Sequence, residues 1–361
     1  MKKICFFSGD ITRSGGTERV SVLIANELVK QKEYDICFLS LCEQRSIPFF
    51  SIDERIQRYT LGEKWINPGA GYIKLIPKLR RFLREYNIDL IIDIDIVLDV
   101  LSIPAVMGKK TRVLSWEHFN CDYEMSITYR RWIARLSARF SDYIITLTNG
   151  DCIRYGQLTG RKKRIEAIHN PMNDKKIVLS EQKENWIITA VRLVHDKGID
   201  YLATIAPAIL EKYPDWKWFV LGEGEDRELL EKTIQEKGLQ DKLIAPGLVD
   251  CVEDYLSKAG LFVLTSRVEG LPMCLLEAKT YQLPCVSFDI PTGPNEIIEE
   301  GISGYLIEPF DCEAMIDRIS GLIENEELRN RFAENADNNI HKFQLDSIME
   351  KWNRVLSSLC E

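Results

Sequence analysis

Short apolar runs alternate with amphipathic helical stretches along most of this chain, and this alternation limits the folds that it can adopt. The run Lys3–Ser8, for example, precedes Thr17–Gln31, in which apolar residues recur at helical spacing. Strands that alternate with helices form βαβ units and a mostly parallel sheet. The predicted strands cover residues 3–8, 35–41, 88–93, 112–117, 142–147, 164–168, 186–191, 216–222, 242–247, 260–266, 284–289 and 304–309.

A polar and charged segment, NPMNDKKIVLSEQKEN, interrupts the alternation near the middle of the chain, after which the alternation starts again. We therefore predict two doubly wound α/β domains with a cleft between them, in which ligands bind at the carboxyl ends of the strands. The predicted organisation is a first domain at 1–172, a linker at 173–185, a second domain at 186–340, and a C-terminal helix at 341–361 that packs back on the first domain.

The composition excludes several classes of protein. The 361 residues are 45% hydrophobic and 28% charged, which excludes disordered and collagen-like chains. No apolar run reaches the roughly 18 residues of a membrane-spanning helix, and Asp10 ends the first run too early for a signal peptide. The ten cysteines form no CxxC pair, so we interpret them as reduced thiols of a cytoplasmic protein.

The charge is distributed unevenly along the chain. Residues 1–172 carry a net charge of +7, whereas the remainder carries −15, giving −8 in total. A basic half on an acidic protein suggests an anionic partner, such as a nucleic acid or a phospholipid surface, and chance asymmetry remains the alternative. The acidic second half and the absence of a recognisable module with exposed aromatic residues argue against nucleic acid.

Glycines and cations follow two of the predicted strands. Gly15 and Gly16 precede the first helix, where backbone N–H groups favour a phosphate, although a simple tight turn would use the same residues. Arg192 and Lys197 share one strand-to-helix loop in the second domain. A guanidinium and an ammonium at a helix N-terminus can hold a diphosphate, and a solvated loop is the alternative.

Two glutamates lie further along the second domain, in the sequence EGLPMCLLE. Glu269 lies in a loop at the start of a predicted helix, and Glu277 follows after seven intervening residues, inside that helix. Two carboxylates placed in this way can accept hydrogen bonds from the hydroxyls of a sugar or another polyol. A further loop contains Gly293 at another helix N-terminus, which is a second position that favours phosphate.

These motifs together resemble glycosyltransferase family 4, whose members are retaining enzymes of the GT-B fold with two Rossmann-like domains. The resemblance is carried by Arg192 and Lys197, by EGLPMCLLE, by TGPNEII before GYLI, and by SGGTERV and SWEHFN in the first half. It covers essentially the whole chain. The sequence departs from the commoner family pattern at Pro291-Thr292-Gly293, where a glycine pair is usual.

The resemblance implies a role for each motif. Arg192 and Lys197 would neutralise the donor diphosphate, Glu277 would hold the ribose, and Glu269 would bind a hydroxyl of the donor sugar. His118 would face the anomeric centre, so we list His118 and Glu269 as the catalytic candidates. The remaining donor-binding candidates are the backbone at Gly270, Leu271, Pro272 and Met273, together with Gly15, Gly16 and Gly293.

His118 ends an apolar strand, where its side chain can transfer a proton or donate a hydrogen bond; a structural histidine is the alternative. Asp95, Glu117 and Asn120 are the acceptor-side candidates. Asp93 and Asp95 have the DxD spacing that binds a divalent metal in a different glycosyltransferase fold. Here the aspartates interrupt a strand that should be buried, so we expect no metal and no other cofactor.

Two predicted helices are basic on one face, which bears on the acceptor. Helix 73–86 places lysines and arginines opposite an apolar stripe, and helix 126–140 repeats arginine every fourth residue. Such helices can lie on an anionic membrane, although a core-facing stripe with a solvated basic face is equally compatible. Lipid-linked acceptors are usual for relatives with this motif set.

We therefore expect a metal-independent, retaining glycosyltransferase that moves a hexose or N-acetylhexosamine from a UDP-sugar to a sugar hydroxyl. The expected acceptor is a lipid-linked glycan precursor of capsule, exopolysaccharide or lipopolysaccharide, at the cytoplasmic face of the membrane. The alternatives are a nucleotide-sugar epimerase of the same fold, which would consume donor without acceptor, and a non-catalytic subunit of a partner enzyme. A subunit without catalysis has no need for the set Arg192, Lys197, Glu269 and Glu277.

Overall fold

Two sheets made only of parallel strands organise the protein. The computed structural model describes residues 1–62, 70–172, 180 and 183–360. The chain divides into one unit of Met1–Pro171 with Leu345–Glu361 and a second of Met172–Gln344. The predicted linker at 173–185 lies mostly outside the described residues. The prediction of two doubly wound α/β units is confirmed.

The first unit contains a seven-stranded sheet in the order β3-β2-β1-β4-β5-β6-β7. Its central strands read as continuous apolar runs because helices cover both faces of the sheet. Its strands are β1 (Lys2–Ser8), β2 (Tyr34–Ser40), β3 (Gln57–Thr60), β4 (Leu90–Ile94), β5 (Arg112–Trp116), β6 (Tyr143–Thr146) and β7 (Ile165–Ala167). Its helices before the linker are α1 (Gly16–Lys30), α2 (Ala70–Ile73), α3 (Ile76–Glu85), α4 (Asp99–Val106), α5 (Cys121–Ser126), α6 (Thr128–Phe140) and α7 (Asn149–Thr159).

The second unit contains a six-stranded sheet in the order β10-β9-β8-β11-β12-β13. Its strands are β8 (Trp186–Ala190), β9 (Lys217–Leu221), β10 (Leu243–Gly247), β11 (Leu261–Leu264), β12 (Cys285–Phe288) and β13 (Gly304–Ile307). Its helices are α8 (Ile199–Lys212), α9 (Arg227–Glu236), α10 (Glu253–Leu256), α11 (Met273–Thr280), α12 (Pro294–Ile297), α13 (Cys312–Glu324) and α14 (Glu326–Glu334). Within the described residues, no helix is both long and apolar enough to cross a membrane.

All twelve predicted strands are present, with ends shifted by a few residues. Strand β3 was not predicted, because it is a partly exposed edge strand without an apolar run. Helix α12 is only a single turn, and Glu300 then forms a β-bridge with Gly304. Apolar runs therefore identify central strands well and edge strands poorly.

The last helix, α15 (Leu345–Cys360), belongs to the first unit although it is the last element of the chain. Trp352 is fully buried, and its ring lies 4.7 Å from that of Trp116, edge to face. Arg354 pairs with Glu166 of β7. The helix thus completes the core of the first unit with an aromatic contact.

We expect Trp352→Ala to lower the free energy of unfolding by about 3–5 kcal/mol, because it removes a buried aromatic side chain and leaves a cavity. Urea titration followed by circular dichroism measures this loss. Trp132→Ala is the matched control, since Trp132 is 65% exposed and its loss should change stability by less than about 0.5 kcal/mol. Equal losses in the two variants would contradict the burial of Trp352.

Candidate active site

The predicted residues of the second unit follow the two strands at which the strand order of its sheet reverses. The chain proceeds outward from β8 through β9 to β10 and then returns to place β11 on the other side of β8. Such a reversal leaves a crevice at the carboxyl ends of the two central strands, where ligands bind in open α/β sheets. Arg192 and Lys197 follow β8, and Glu269 follows β11, so they lie at this crevice.

Backbone contacts join the loops that follow β8 and β11. The hydroxyl of Thr265 donates to the carbonyl of Lys197 at 3.1 Å, and the N–H of Arg267 donates to the carbonyl of Asp196 at 2.8 Å. Gly198 has a φ of +64°, and a Cβ there would lie 2.0 Å from the carbonyl oxygen of Thr265. Only glycine permits this approach, which places Lys197 beside the loop that carries Glu269.

The predicted cation and the predicted acid contact each other directly. Lys197 Nζ lies 2.7 Å from Glu269 Oε1, and the same oxygen accepts a hydrogen bond of 2.7 Å from Ser266 Oγ. The two charged side chains are only 17% and 9% exposed. Within the described part of the chain, Glu269 Oε2 accepts no hydrogen bond, so this oxygen can accept one from a ligand hydroxyl.

Arg192 differs from Lys197 because it is exposed and forms no ion pair with any residue that the structure describes. The loop that contains Arg192 packs closely against the loop that follows β9. A Cβ at Gly222 would lie 1.9 Å from the carbonyl oxygen of Val191, and one at Gly224 would lie 2.1 Å from that of Leu193. This close packing was not predicted from the sequence, although a G-x-G directly after a strand is a recognisable signal of close backbone approach.

A third loop, after β12, contacts the Glu269 loop. Thr292 Oγ1 donates to the carbonyl of Glu269 at 2.9 Å. Gly293 has a φ of +102°, and a Cβ there would lie 2.8 Å from the carbonyl oxygen of Gly270. Leu271 and Pro272 are buried, so their side chains are not available to a ligand.

The charges of Lys197, Glu269 and Glu277 all act on the thiol of Cys274. Partial burial raises the pKa of Cys274 well above its ordinary value, and the carboxylate of Glu269 raises it further. Lys197 acts in the opposite direction, and Glu277 again raises the pKa. Glu277 is half-buried on α11, which also begins with Met273. The structure therefore brings Lys197 and Glu269 into direct contact, and the charge of Glu277 acts on the same thiol, which was not singled out from the sequence.

The glycine motif of the first unit already has a carboxylate beside it. Glu18 is buried in the first turn of α1, and burial raises its pKa. A Cβ at Gly15 would lie 2.2 Å from its Oε2, whereas a Cβ at Gly16 would meet no atom within 4 Å. Arg13 lies 3.9 Å from Glu18. The helix N-terminus that was predicted to favour phosphate therefore already has the carboxylate of Glu18 in its first turn.

His118 follows β5 and is buried against Trp116, with the ring centroids 4.3 Å apart. Burial lowers the pKa of His118 to about 3, so its imidazole is neutral near pH 7. Its Nε2 has no hydrogen-bond partner among the described residues. Of the two predicted activities, the geometry favours a neutral hydrogen-bonding imidazole over a proton donor.

The acceptor-side candidates each have a local backbone partner. Asp95 accepts from the N–H of Val97 and lies 3.6 Å from Arg130. Glu117 Oε1 accepts from the N–H of Phe119, and Asn120 Oδ1 accepts from the N–H of Tyr123 at the start of α5. The backbone hydrogen bonds of these three side chains therefore form turns and a helix cap, and their acceptor roles stay predictions.

The aspartates of the DxD spacing do not act as a pair. Asp93 is fully buried beside Asp99 and accepts a hydrogen bond from Ser102, and burial raises its pKa well above the ordinary value. Asp95 instead follows β4 and has a φ of +94°. Over residues 1–62, 70–172 and 183–360, no group of three or more His, Cys, Asp or Glu is arranged to hold a metal ion.

We expect His118 to make the folded protein sensitive to acid. The unfolded chain binds this proton near pH 6.5, whereas the folded chain binds it only near pH 3, so stability falls as the pH decreases through that window. The loss is about 2 kcal/mol at pH 5. We therefore expect His118→Gln to lose less stability than the wild type between pH 7 and pH 5, measured by urea titration at each pH.

The exposed His195 provides the control for this measurement, because His195→Gln removes a histidine without changing the core. It should keep the pH dependence of the wild type. An unchanged pH dependence in His118→Gln would show that the His118 imidazole is not held neutral in the folded state.

Comparison with known proteins extends these observations. The family model described as "Glycosyl transferases group 1" matches residues 172–339, which is nearly the whole of the second unit. An uncharacterized glycosyltransferase of Haemophilus influenzae is 30% identical to the chain, with 99% of this chain and 100% of the relative covered.

Two further proteins are similar over their whole length. A Campylobacter jejuni protein is 26% identical, with 99% of both chains covered; it is named GalNAc-alpha-(1->4)-GalNAc-alpha-(1->3)-diNAcBac-PP-undecaprenol alpha-1,4-N-acetyl-D-galactosaminyltransferase. The crystal structure of Anabaena HepE in complex with UDP and glucose matches with a TM-score of 0.81 at 18% identity, covering 98% of this chain and 99% of HepE. The fold is therefore GT-B, and the chain belongs to the glycosyltransferases.

Proposed function

We propose that this enzyme is a retaining family 4 glycosyltransferase that moves a hexose or N-acetylhexosamine from a UDP-sugar to a hydroxyl of a lipid-linked glycan precursor in cell-surface polysaccharide synthesis. The observation that carries the proposal is the crevice in which Lys197 contacts Glu269 while Arg192 stays unpaired within the described chain. The UDP and glucose bound by HepE support the donor, and the undecaprenol-linked acceptor named for the Campylobacter relative supports the acceptor.

The charges of the crevice suggest how the two cations divide the work. Glu269 already neutralises part of the charge of Lys197, whereas Arg192 has its full charge available for the diphosphate. We therefore assign the main charge compensation of the leaving diphosphate to Arg192. Lys197 would hold Glu269 in place and direct a remaining N–H towards the same diphosphate, so that no metal is required.

Transfer would then follow a front-side path with retention of configuration. The bond between the anomeric carbon and the diphosphate oxygen breaks, and UDP leaves with the electron pair. The acceptor oxygen forms its bond on the same face and passes its proton to the leaving phosphate. Glu269 Oε2 would accept a hydrogen bond from a donor-sugar hydroxyl, and His118 would act as a neutral hydrogen-bonding group.

The test is a thermal-shift panel of UDP, GDP, ADP and their sugars. We expect UDP and its sugars to raise the melting temperature of the wild type. Arg192→Ala should weaken this binding about 10- to 100-fold, because it removes a charge-assisted contact to the diphosphate. Lys212→Ala is the matched control, since it removes an exposed cation of the same unit that pairs with Glu324. No shift with any nucleotide would overturn the proposal.

We expect Glu269→Gln to reduce sugar transfer at least about 100-fold while UDP binding changes less than about threefold, because its carboxylate would contact the sugar and not the nucleotide. Ser266→Ala, which removes only the second contact of Oε1, should cause a smaller loss of about tenfold. Radiolabelled transfer and calorimetric UDP binding measure the two effects. Equal losses in transfer and UDP binding would contradict the role of Glu269, and donor consumption without acceptor would indicate an epimerase.

A further inference from the structure

Arg267 lies two residues before Glu269, and its guanidinium binds groups of the loop and helix that follow β8. Its Nη1 donates to the carbonyl of His195 at 2.8 Å and to Asp200 Oδ1 at 2.7 Å, and its Nη2 donates to Asp200 Oδ2 at 2.5 Å. The pair with Asp200 is therefore bidentate, which fixes the plane of the guanidinium as well as its position. A lysine could not form this arrangement, because its ammonium is a single point charge.

The same guanidinium lies over an aromatic ring. Its central carbon is 4.1 Å from the ring centroid of Tyr201, which is the distance of a cation–π contact. Tyr201 stacks on Phe310 with the ring centroids 5.3 Å apart, and it contacts the fully buried Phe288 edge to face at 5.5 Å. Phe288 is the last residue of β12 and belongs to the core of the second unit. Arg267 is therefore supported by side chains that are fixed by the core.

Asp200 already neutralises the charge of Arg267. The guanidinium of Arg267 lowers the pKa of Asp200, and the carboxylate in turn raises the pKa of Arg267, so both groups stay charged near pH 7. Only 16% of the Arg267 side chain is exposed. Arg192 differs in both respects, since it is exposed and forms no ion pair with any residue that the structure describes. Arg267 is therefore suited to hold protein groups together, whereas Arg192 is available to a diphosphate.

The contacts of Arg267 join the two loops that bring Lys197 to Glu269. Its side chain binds the carbonyl of His195, and its backbone N–H binds the carbonyl of Asp196 at 2.8 Å. These two carbonyls directly precede Lys197, whose Nζ lies 2.7 Å from Glu269 Oε1. We propose that Arg267 is a positioning residue, which fixes the loop after β8 so that Lys197 keeps Glu269 oriented towards the donor sugar. The proposal rests on the proposed function, because that function gives Glu269 its ligand.

The first experiment needs no ligand. Amide hydrogen exchange of the full chain, followed by mass spectrometry, measures how often the loop after β8 opens. The amides of Lys197 and Gly198 donate within this loop to the carbonyls of Val194 and His195, at 2.8 and 3.0 Å. Arg267→Ala should speed their exchange at least about tenfold, because it removes charge-assisted hydrogen bonds that hold the loop. Arg267→Lys should speed it nearly as much, because the bidentate pair is lost.

Arg329 provides a matched control in the same unit. Its half-buried guanidinium donates to the carbonyls of Leu322 at 2.7 Å and Ile323 at 3.2 Å, and it lies 5.4 Å from the ring of Trp216. Trp216 precedes β9, so this arginine lies at the end of the sheet opposite the crevice. Arg329→Ala removes contacts of the same kind, and it should change the exchange of the β8 loop by less than about twofold.

The second experiment compares the binding of UDP with that of a UDP-sugar by calorimetry. The UDP-sugar is the one of UDP-glucose, UDP-galactose and their N-acetylamino forms that most raises the melting temperature of the wild type. Arg267→Ala should weaken binding of this UDP-sugar about tenfold and binding of UDP less than about threefold, since Arg192 remains in place. In the Glu269→Gln background, Arg267→Ala should weaken UDP-sugar binding by less than about threefold, because the group that it positions is already altered.

A milder variant keeps the test decisive where Arg267→Ala does not fold. Asp200→Asn weakens the bidentate pair from its more exposed side, since 46% of the Asp200 side chain is exposed. It should speed exchange of the β8 loop and weaken UDP-sugar binding about threefold each. Normal exchange and normal UDP-sugar binding in a folded Asp200→Asn protein would overturn the inference.

Three further outcomes would overturn it. Unchanged loop exchange in Arg267→Ala would show that other contacts hold the loop. UDP binding weakened as strongly as UDP-sugar binding would assign Arg267 to the diphosphate, and losses that multiply with Glu269→Gln would show that the two residues act independently. Faster exchange in Arg267→Ala in a protein that binds no nucleotide would support the hold on the loop while the proposed function fails, whereas unchanged exchange in a protein that binds UDP removes only the inference.

Discussion

A lysine and a glutamate contact each other where the two central strands of the second sheet end, and the geometry of the crevice depends on that contact. The contact exists because Gly198 lets one loop pass against Thr265 of the next, while Gly293 lets a third loop approach Gly270. Each loop alone is an ordinary connection between a strand and a helix. Together they hold two opposite charges in a mostly buried position and leave the exposed Arg192 beside them.

Most of the fold could be predicted from the sequence, because parallel strands covered on both faces are continuous apolar runs. The edge strand β3 could not, since it is stabilised by its pairing with β2 and not by apolar burial. The candidate residues Lys197 and Glu269 were predictable by type and position. Their direct contact was not, because it joins residues 72 positions apart and depends on which strands are neighbours in the sheet.

Local interactions explain why the acceptor-side residues and the glycine motif were harder to interpret from the sequence. Asp95, Glu117 and Asn120 are polar residues at strand ends, as acceptor-binding residues would be, but each of them accepts a hydrogen bond from a nearby backbone N–H group. Residue type does not distinguish these uses, since short polar side chains form turns and caps as readily as they bind ligands. Glu18 also affects a predicted site through a local contact. It lies beside the glycine motif of the first unit and adds negative charge there.

The position of α15 has a consequence for how the protein is made. The second unit is one continuous stretch of chain, whereas the first needs the helix that carries Trp352. During synthesis the ribosome releases this helix after the whole of the second unit, so the first unit completes its core only after the second unit has been translated. Truncation by a premature stop codon late in the gene would therefore damage the part of the molecule that was synthesised first.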